Sequence, residues 1–168
     1  NSAPNRVTTV EAAFDDDGMV SALRFENWDD HGAYLRAPMP APIYRMHGLS
    51  TNGYTIPNLE VTNHIMVTNK CPTGAVRGFG GPQLYFAIER MMQKIALTLG
   101  LDPLDVIRRN LIPAGSFPHR TAAGALLDSG DYQKTIAETV AGGGLDELKR
   151  RRDAARAEGR LYGIGYAT

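Results

Sequence analysis

The chain has 168 residues, 43% of them hydrophobic, which is enough for one domain with a packed core. Its 18 basic residues balance its 18 acidic residues, so no overall positive field attracts nucleic acid. The single cysteine excludes an internal disulfide, and it also excludes an iron–sulfur cluster or structural zinc site built from cysteines of this chain. No apolar run reaches the roughly 18 residues of a membrane span, and a lone thiol is typical of the reducing cytoplasm.

Two alternating stretches near the start predict an antiparallel hairpin. Residues 6–14 and 19–28 alternate apolar and polar side chains, and the turn sequence between them ends in Asp17-Gly18. The acidic residues of this turn are interpreted as solvated rather than as a cation site. His31 is predicted to lie on the surface or in a turn, because no second histidine or carboxylate stands at metal-ligand spacing.

The stretch after the hairpin contains closely spaced prolines. Pro38, Pro40 and Pro42 lack backbone N–H donors, so the sequence predicts an irregular connector rather than a regular helix or a central strand. Residues 59–69 are rich in β-branched side chains and predict a third strand. This strand leads directly into a glycine-rich segment.

Residues 70–83 predict a loop whose backbone approaches another group closely. Glycine has no Cβ, so the chain bends sharply at Gly78 and Gly80 and displays Arg77 and Phe79 beside them. A loop of small residues between a rigid strand and a rigid helix is a common way to hold a ligand.

The loop ends at the start of a helix predicted over residues 84–99. Pro82 fits the first turn of that helix, whose free N–H groups and partial positive charge suit an anionic or oxygen-rich ligand. The glycine spacing matches neither a P-loop nor a dinucleotide fingerprint. A structural interpretation stays open, in which the loop is a plain glycine turn, Arg77 is solvated and Phe79 lies in the core.

The second half of the chain is predicted to be mainly helical. The predicted helices cover residues 84–99, 103–110, 132–140 and 145–158, and a final strand covers residues 161–167. Gly100 ends the first helix, and Asp102 and Asp131 cap the second and third. Gly142–Gly144 breaks the third helix before the fourth begins. The many basic residues of the last helix alternate with acidic ones, which indicates a solvated helix rather than a nucleic-acid surface.

Several motifs around the loop occur together in a known enzyme family. Residues 77–83 read Arg-Gly-Phe-Gly-Gly-Pro-Gln, followed by Glu-Arg-Met at 89–91, Leu-Gly-Leu-Asp-Pro at 99–103 and Arg-Arg-Asn-Leu at 108–111. Further matches are Gly-Ala-Tyr at 32–34, Tyr-x-Ile-Pro-Asn at 54–58 and Asp-Ser-Gly-Asp-Tyr at 128–132. In these motifs the chain resembles the molybdenum hydroxylases, that is, the large subunits of xanthine dehydrogenase, aldehyde oxidase and carbon monoxide dehydrogenase.

The resemblance implies an α+β fold, with an antiparallel hairpin and sheet followed by a helical segment of a larger molybdopterin-binding subunit. The chain is then one segment, with strands mainly in 1–69, the glycine loop at 70–83, helices mainly in 84–158 and a strand at 159–168. In the full subunit, a molybdenum ion held by a pterin hydroxylates a carbon centre of a small substrate with oxygen taken from water. Electrons leave through iron–sulfur clusters and FAD on partner subunits or domains.

The resemblance also implies roles for four loop residues. Arg77 would lie beside the molybdenum and act in catalysis as a fixed positive charge. Arg77, Gly78, Phe79 and Gly80 would bind the cofactor, and the ring of Phe79 would also bind the substrate by flanking its pocket. No residue of this chain is expected to be a metal ligand.

Other parts of the family's site have no match here. The general-base glutamate belongs to a motif that this chain lacks, and Glu89 is interpreted as structural. The glutamine-containing cofactor loop is also missing, so the isolated chain is expected to bind no cofactor and to be inactive. Its expected partners are the remainder of the large subunit and the iron–sulfur and flavin subunits. Gly78 stands where carbon monoxide dehydrogenases carry a copper-bridging cysteine, and Cys71 is predicted to be a plain buried thiol.

Two hypotheses therefore stay open for the function. The first is a piece of a cytoplasmic molybdopterin-dependent oxidoreductase acting on an aldehyde, an N-heterocycle or a similar small substrate. The second is a non-catalytic α+β interaction module in which the glycine turn is structural.

Overall fold

The computed structural model describes residues 4–45 and 47–166 and contains a three-stranded sheet covered by helices. The strands are β1 (Asn5–Phe14), β2 (Val20–Asp30) and β3 (Asn58–Met66), in the spatial order β1-β2-β3. β1 and β2 pair antiparallel, as predicted, with a register shift at Ala13/Phe14. The α+β fold class is confirmed.

The third strand runs parallel to β2, from the Ala22–Asn58 pair to the Asp30–Met66 pair. Residue alternation predicts a strand but not its direction, because the direction depends on the connection between the strands. Parallel pairing brings the carboxyl ends of β2 and β3 to the same edge of the sheet. The segments that follow Asp30 and Met66 therefore start side by side.

The proline-rich connector contains one short helix that the sequence did not predict. This helix, α1, spans Ala41–Tyr44, with Pro40 at its N-cap and a proline in its first turn. Proline is tolerated there because the first N–H groups of a helix have no intrahelical partner. A 3₁₀ turn follows at His47–Leu49, and the rest of the connector is irregular.

Four longer helices and a small hairpin complete the described chain. The helices are α2 (Gly81–Leu99), α3 (Pro103–Asn110), α4 (Tyr132–Gly143) and α5 (Leu145–Ala157), and the two-residue strands β4 (His119–Arg120) and β5 (Leu126–Leu127) form the hairpin. The predicted capping is present: the side chain of Asp102 accepts a hydrogen bond from Leu104 N at 2.8 Å, and that of Asp131 accepts one from Lys134 N at 3.0 Å.

Two expectations for the C-terminal part are wrong. The helix break falls at Gly144, which has a φ of 63°, so α4 runs through the two preceding glycines. Residues 160–166 are irregular rather than a strand, because they have no neighbouring strand to pair with in the described part of the chain. Residues 167 and 168, the end of that predicted strand, lie outside the described residues.

The core lies between the sheet and α2. Ile88, Met92 and Ile95 recur at helical spacing on one face of α2 and are at most 1% exposed. They pack with Phe25 of β2 and with Val106 of α3 in one continuous cluster. The fold thus fixes the end of the sheet and the start of α2, the two elements that flank the glycine loop.

Candidate functional site

The loop begins as a continuation of the sheet. Beyond the last strand pair, four backbone hydrogen bonds join the segment 31–33 to the segment 66–73. They are His31 N to Met66 O (2.9 Å), Thr68 N to Gly32 O (2.9 Å), Ala33 N to Lys70 O (3.0 Å) and Thr73 N to His31 O (3.1 Å). The first half of the loop is therefore tied to a rigid element.

Gly32 is the point of closest approach between these two segments. Its φ is +78°, and a Cβ placed on it would lie 2.4 Å from the carbonyl oxygen of Cys71. Only glycine combines this conformation with this contact. The Gly-Ala-Tyr motif thus supplies a packing position for the loop.

The Asp30 carboxylate anchors the same segment by side-chain contacts. It forms an ion pair with Lys70 and accepts hydrogen bonds from the hydroxyl of Thr68 and from Gly32 N. These interactions, the hydrogen bond from Lys70 first, lower the pKa of Asp30 to about 2. All these partners lie after the strand ends, where the parallel pairing brings them together.

His31 is fully buried, which corrects the prediction of a surface or turn histidine. Its Nδ1 lies 3.1 Å from the hydroxyl of Thr73, and its Nε2 lies 3.4 Å from Oδ2 of the buried Asp29. Burial lowers the pKa of His31, so the ring is neutral near pH 7. Hydrophobic patterning did not predict this position, because the ring is covered by the loop and not by the core.

The second half of the loop is a tight turn before α2. Phe79 N donates to Val76 O at 3.0 Å and Gly81 N donates to Gly78 O at 2.8 Å. Gly78, Phe79 and Gly80 all have positive φ, at 91°, 43° and 95°. Three successive residues in this region are rare and make the chain reverse sharply.

Gly80 is where this turn meets the proline connector. A Cβ there would lie 2.1 Å from the carbonyl oxygen of Pro42, which is buried in α1. The turn is therefore held at one end by the sheet through residues 68–73 and at the other end by α1.

The four predicted site residues are consecutive on this turn. Arg77 and Gly78 are exposed, Phe79 is half-buried and Gly80 is buried. Within residues 4–45 and 47–166, the side chain of Arg77 forms no hydrogen bond or ion pair, and Phe79 is not part of the main hydrophobic core. Arg77 is thus exposed to solvent, and Phe79 lies partly at the surface beside it.

The backbone of the turn fits an oxygen-rich or anionic group. In the described part of the chain, the N–H groups of Gly78 and Gly80 donate to no backbone acceptor. They lie at the N-terminus of α2, where the helix dipole contributes partial positive charge. Backbone N–H groups at a helix start, next to a guanidinium, are chemically compatible with an anionic or oxygen-rich group.

Glu89 is placed away from the loop, in agreement with its structural interpretation. Its buried carboxylate accepts hydrogen bonds from the Tyr54 hydroxyl at 2.9 Å and from Asn52 Nδ2 at 2.9 Å. This carboxylate holds the connector against α2 from the inner side of the helix.

Cys71 is exposed, so the prediction of a buried thiol is wrong. Its carbonyl oxygen packs against Gly32 while its Sγ lies on the outside, 3.9 Å from Pro72 O.

Among the described residues, no group of three histidine, cysteine, aspartate or glutamate side chains converges as a metal site.

A cleft of about 440 Å³ lies apart from the loop, between α3 and α4. Leu104, Leu111, Tyr132 and Ile136 contribute to its mainly apolar lining, and no residue of 70–83 takes part. None of its lining residues carries a charged side chain. No helix in the described ranges combines the length and the apolar character needed to cross a membrane.

The comparison with known families is decisive. Residues 1–111 match the family model of the molybdopterin cofactor-binding domain. The chain belongs to this family. The matched part of this molybdopterin cofactor-binding domain includes the carboxyl ends of β2 and β3, the whole glycine loop and α2.

Characterised relatives agree with this membership. The chain is 30% identical over 168 residues to the gamma subunit of the 6-hydroxypseudooxynicotine dehydrogenase complex of Paenarthrobacter nicotinovorans, covering 97% of this chain and 21% of the relative. It is 29% identical over 165 residues to the carbon monoxide dehydrogenase large chain of Hydrogenophaga pseudoflava, covering 94% of this chain and 20% of the relative. The family is thus one of molybdopterin-dependent oxidoreductases.

Solved structures show the same fold. Quinoline 2-oxidoreductase from Pseudomonas putida 86 superimposes with a TM-score of 0.84 at 30% identity, over 94% of this chain and 20% of that chain. A Cu,Mo-dependent CO dehydrogenase superimposes with a TM-score of 0.85 at 28% identity, over 95% of this chain and 21% of that chain. The chain therefore spans about a fifth of the length of these relatives.

Sequence reasoning missed the residues that anchor the loop. Asp30, His31, Lys70 and Thr73 are spread over two segments that become neighbours only through parallel pairing. The one local signal was that the polar residues Asp30 and His31 stand at and directly after the end of a strand, where polar residues often serve a site.

Proposed function

We propose that this chain is the loop-bearing part of the large subunit of a molybdenum hydroxylase. The full subunit would hydroxylate a small substrate, such as an aldehyde or an N-heterocycle, with oxygen derived from water. The family match supports the cofactor class, and the exposed Arg77 on a turn of free N–H groups supports the place at which the cofactor binds. The isolated chain would be inactive, because it contributes only part of the site.

The cofactor, when bound, supplies the oxygen-transfer and redox chemistry. The contribution of this chain is to bind and orient. The N–H groups of Gly78 and Gly80 would donate to oxygens of the molybdopterin, and the absence of side chains at these positions lets the backbone approach closely. Arg77 would provide a fixed positive charge where negative charge develops on the reacting oxygen.

Phe79 would orient the substrate. Phe79 is half-buried, and the exposed part of its side chain would contact a planar ligand. The proton acceptor of the reaction is assigned to a glutamate outside this chain, since Glu89 is committed to Tyr54 and Asn52. Iron–sulfur and FAD-containing partner subunits or domains would take up the electrons, and we place the enzyme in the cytoplasm.

The observation that carries this proposal is the exposed Arg77 on the Gly78–Gly80 turn, with no polar partner in residues 4–45 and 47–166, within a matched cofactor-binding domain. The test is metal and pterin analysis of the intact parent subunit with its partner subunits, purified from its host. We expect close to one molybdenum and one pterin per large subunit. A parent subunit free of both, isolated from cells grown with molybdate, would leave the non-catalytic interaction module as the correct function.

A further inference from the structure

A buried polar cluster connects the hairpin to the loop that carries Arg77. The guanidinium of Arg6 in β1 binds Asp29 at the end of β2 through two hydrogen bonds, Nε to Oδ1 at 2.6 Å and Nη2 to Oδ2 at 2.8 Å. Asp29 Oδ2 lies 3.4 Å from His31 Nε2, and His31 Nδ1 lies 3.1 Å from the hydroxyl of Thr73. The side chains of Asp29 and His31 are fully buried, and that of Arg6 is 7% exposed.

The partners of His31 determine which ring nitrogen carries the proton. A neutral imidazole has one donor and one acceptor nitrogen, and the carboxylate of Asp29 only accepts. The proton is therefore assigned to Nε2, which faces Asp29. Nδ1 is then the acceptor, and the Thr73 hydroxyl donates to it. The 3.4 Å contact with Asp29 is longer than a good hydrogen bond, so Thr73 is the closer partner of the ring.

The hydrogen bond between His31 and Thr73 restrains the loop close to Arg77 in sequence. Thr73 is 5% exposed and lies just before Arg77 in the same loop. Thr73 N also donates to His31 O at 3.1 Å, so His31 holds Thr73 through both backbone and side chain. Further along the loop, Gly80 contacts Pro42, which is a second anchor among the described residues. Arg77 lies between the two anchors and has no polar contact of its own in the described ranges.

We propose that His31 and Thr73 are positioning residues: their hydrogen bond sets where Arg77 and the Gly78–Gly80 turn stand relative to the cofactor, without touching it. This inference rests on the proposed function of the turn. Its physical reason is that a misplacement of about 1 Å, caused by a substitution away from the reacting atoms, can lower the rate by up to about 100-fold.

If the hydrogen bond between His31 and Thr73 only stabilised the fold, its loss would have a different effect. Substitutions of Thr73 distinguish a positioning role from a purely stabilising one. Thr73→Val has nearly the same shape and removes only the hydroxyl, whereas Thr73→Ser keeps it. Thr121→Val is the matched control. Thr121 is also a buried threonine, at 4% exposed, and its hydroxyl donates to Gly48 O at 2.7 Å in the β4–β5 hairpin, outside the loop. Thr73→Val loses one buried hydrogen bond, and Thr121→Val loses two, since the Thr121 hydroxyl also accepts from Ala125 N at 3.1 Å. The control thus removes at least as many hydrogen bonds as the test variant.

The experiment uses the intact parent enzyme with its partner subunits. We expect Thr73→Val to lower kcat about 10-fold with little change in KM, and to alter the electron paramagnetic resonance signal of the half-reduced Mo(V) state. Hydrogen exchange of residues 74–80 should also become faster. Thr73→Ser should restore all three properties to within twofold of the wild type. Thr121→Val should leave all three unchanged even where it lowers the melting temperature as much.

The opposite results overturn the proposal. Equal kcat, spectra and loop exchange in Thr73→Val and Thr121→Val would show that the hydrogen bond contributes stability alone, and so would a defect that Thr73→Ser does not restore. Failure of the proposed function is distinguishable, because it would appear as a wild-type parent without molybdenum. The exchange of residues 74–80 would still decide whether His31 and Thr73 anchor the loop.

Discussion

Gly80 and the carbonyl oxygen of Pro42 are so close that a Cβ on Gly80 would lie 2.1 Å from that oxygen. The contact joins the end of the glycine turn to α1, and the oxygen belongs to a buried backbone, so a Cβ would force one of the two segments to shift. The φ of +95° at Gly80 adds a second reason for glycine at this position. The turn is thus restrained by shape as well as by hydrogen bonds.

Gly80→Ala should therefore displace the turn. We expect the intact subunit to lose most of its bound molybdenum and pterin, because the N–H groups of the turn move away from the cofactor. Gly100→Ala is the matched control: Gly100 also has a positive φ, at 70°, but a Cβ there meets nothing within 4 Å. The control should cost about 1–2 kcal/mol of stability and keep its cofactor. Cofactor content equal in the two variants would contradict this assignment.

Arg77 should contribute to turnover through its charge. We expect Arg77→Gln to lower kcat by about 100-fold, the usual effect of removing one preorganised electrostatic group. The fold should be unaffected, because the side chain of Arg77 is exposed and has no polar partner in the described part of the chain. Steady-state kinetics of the intact enzyme provide the measurement. Arg24→Gln, at an exposed arginine on the outer face of the sheet, should be close to wild type. Unchanged kinetics in Arg77→Gln would remove Arg77 from the site.

Phe79 should affect substrate binding more than turnover. Phe79→Leu removes an aromatic contact worth about 0.5–1.5 kcal/mol, so KM for a planar substrate should rise about 2- to 10-fold. Phe86→Leu is the control, since Phe86 lies in α2, outside the glycine turn, and is 73% exposed. The two variants should differ with an aromatic substrate and behave alike with a small aliphatic one. A KM that is unchanged for every substrate would place Phe79 outside the pocket.

The ion pair between Asp30 and Lys70 should make the start of the loop sensitive to acid. The pKa of Asp30 is lowered from 3.8 to about 2, so the folded state favours the ionised form. Its contribution is present above pH 3.8 and is lost as the pH falls toward 2. Hydrogen exchange of residues 68–73 should be slower in the wild type than in Asp30→Asn near pH 5, and the difference should shrink below pH 3. A difference that persists at pH 2 would argue against this pair as the cause.

Asn110, which is far from the hairpin in sequence, should stabilise the hairpin by direct hydrogen bonds. Its Oδ1 accepts from Val20 N at 2.8 Å, and its Nδ2 donates to Gly18 O and to Val106 O, each at 2.8 Å. Asn110→Ala leaves these buried groups unpaired, at a cost of about 1–3 kcal/mol for each unsatisfied group. Hydrogen exchange of residues 18–23 reports this loss locally. Asn58→Ala, at an exposed asparagine that bonds Ser21 O, should change the same protection by less than about 0.5 kcal/mol.

Local features were readable from the sequence because each depends on a few neighbouring residues. Alternation over 6–14 and 19–28 and the Asp-Gly turn predicted the hairpin, and the caps at Asp102 and Asp131 marked the starts of α3 and α4. The glycine pattern around Arg77 and Phe79 predicted a turn with unusual backbone angles, and those angles are present. Backbone preferences and the burial pattern of neighbouring side chains are enough to specify these features.

The arrangement of the site was decided by tertiary structure. The parallel pairing of β3 with β2 depends on where the connector returns, and it places His31 under the loop and the thiol of Cys71 outside it. The predicted terminal strand is absent over residues 160–166, because a strand exists only beside a partner. The loop-anchoring contacts of Asp30 and His31 join residues some 40 positions apart, and no local pattern encodes such contacts.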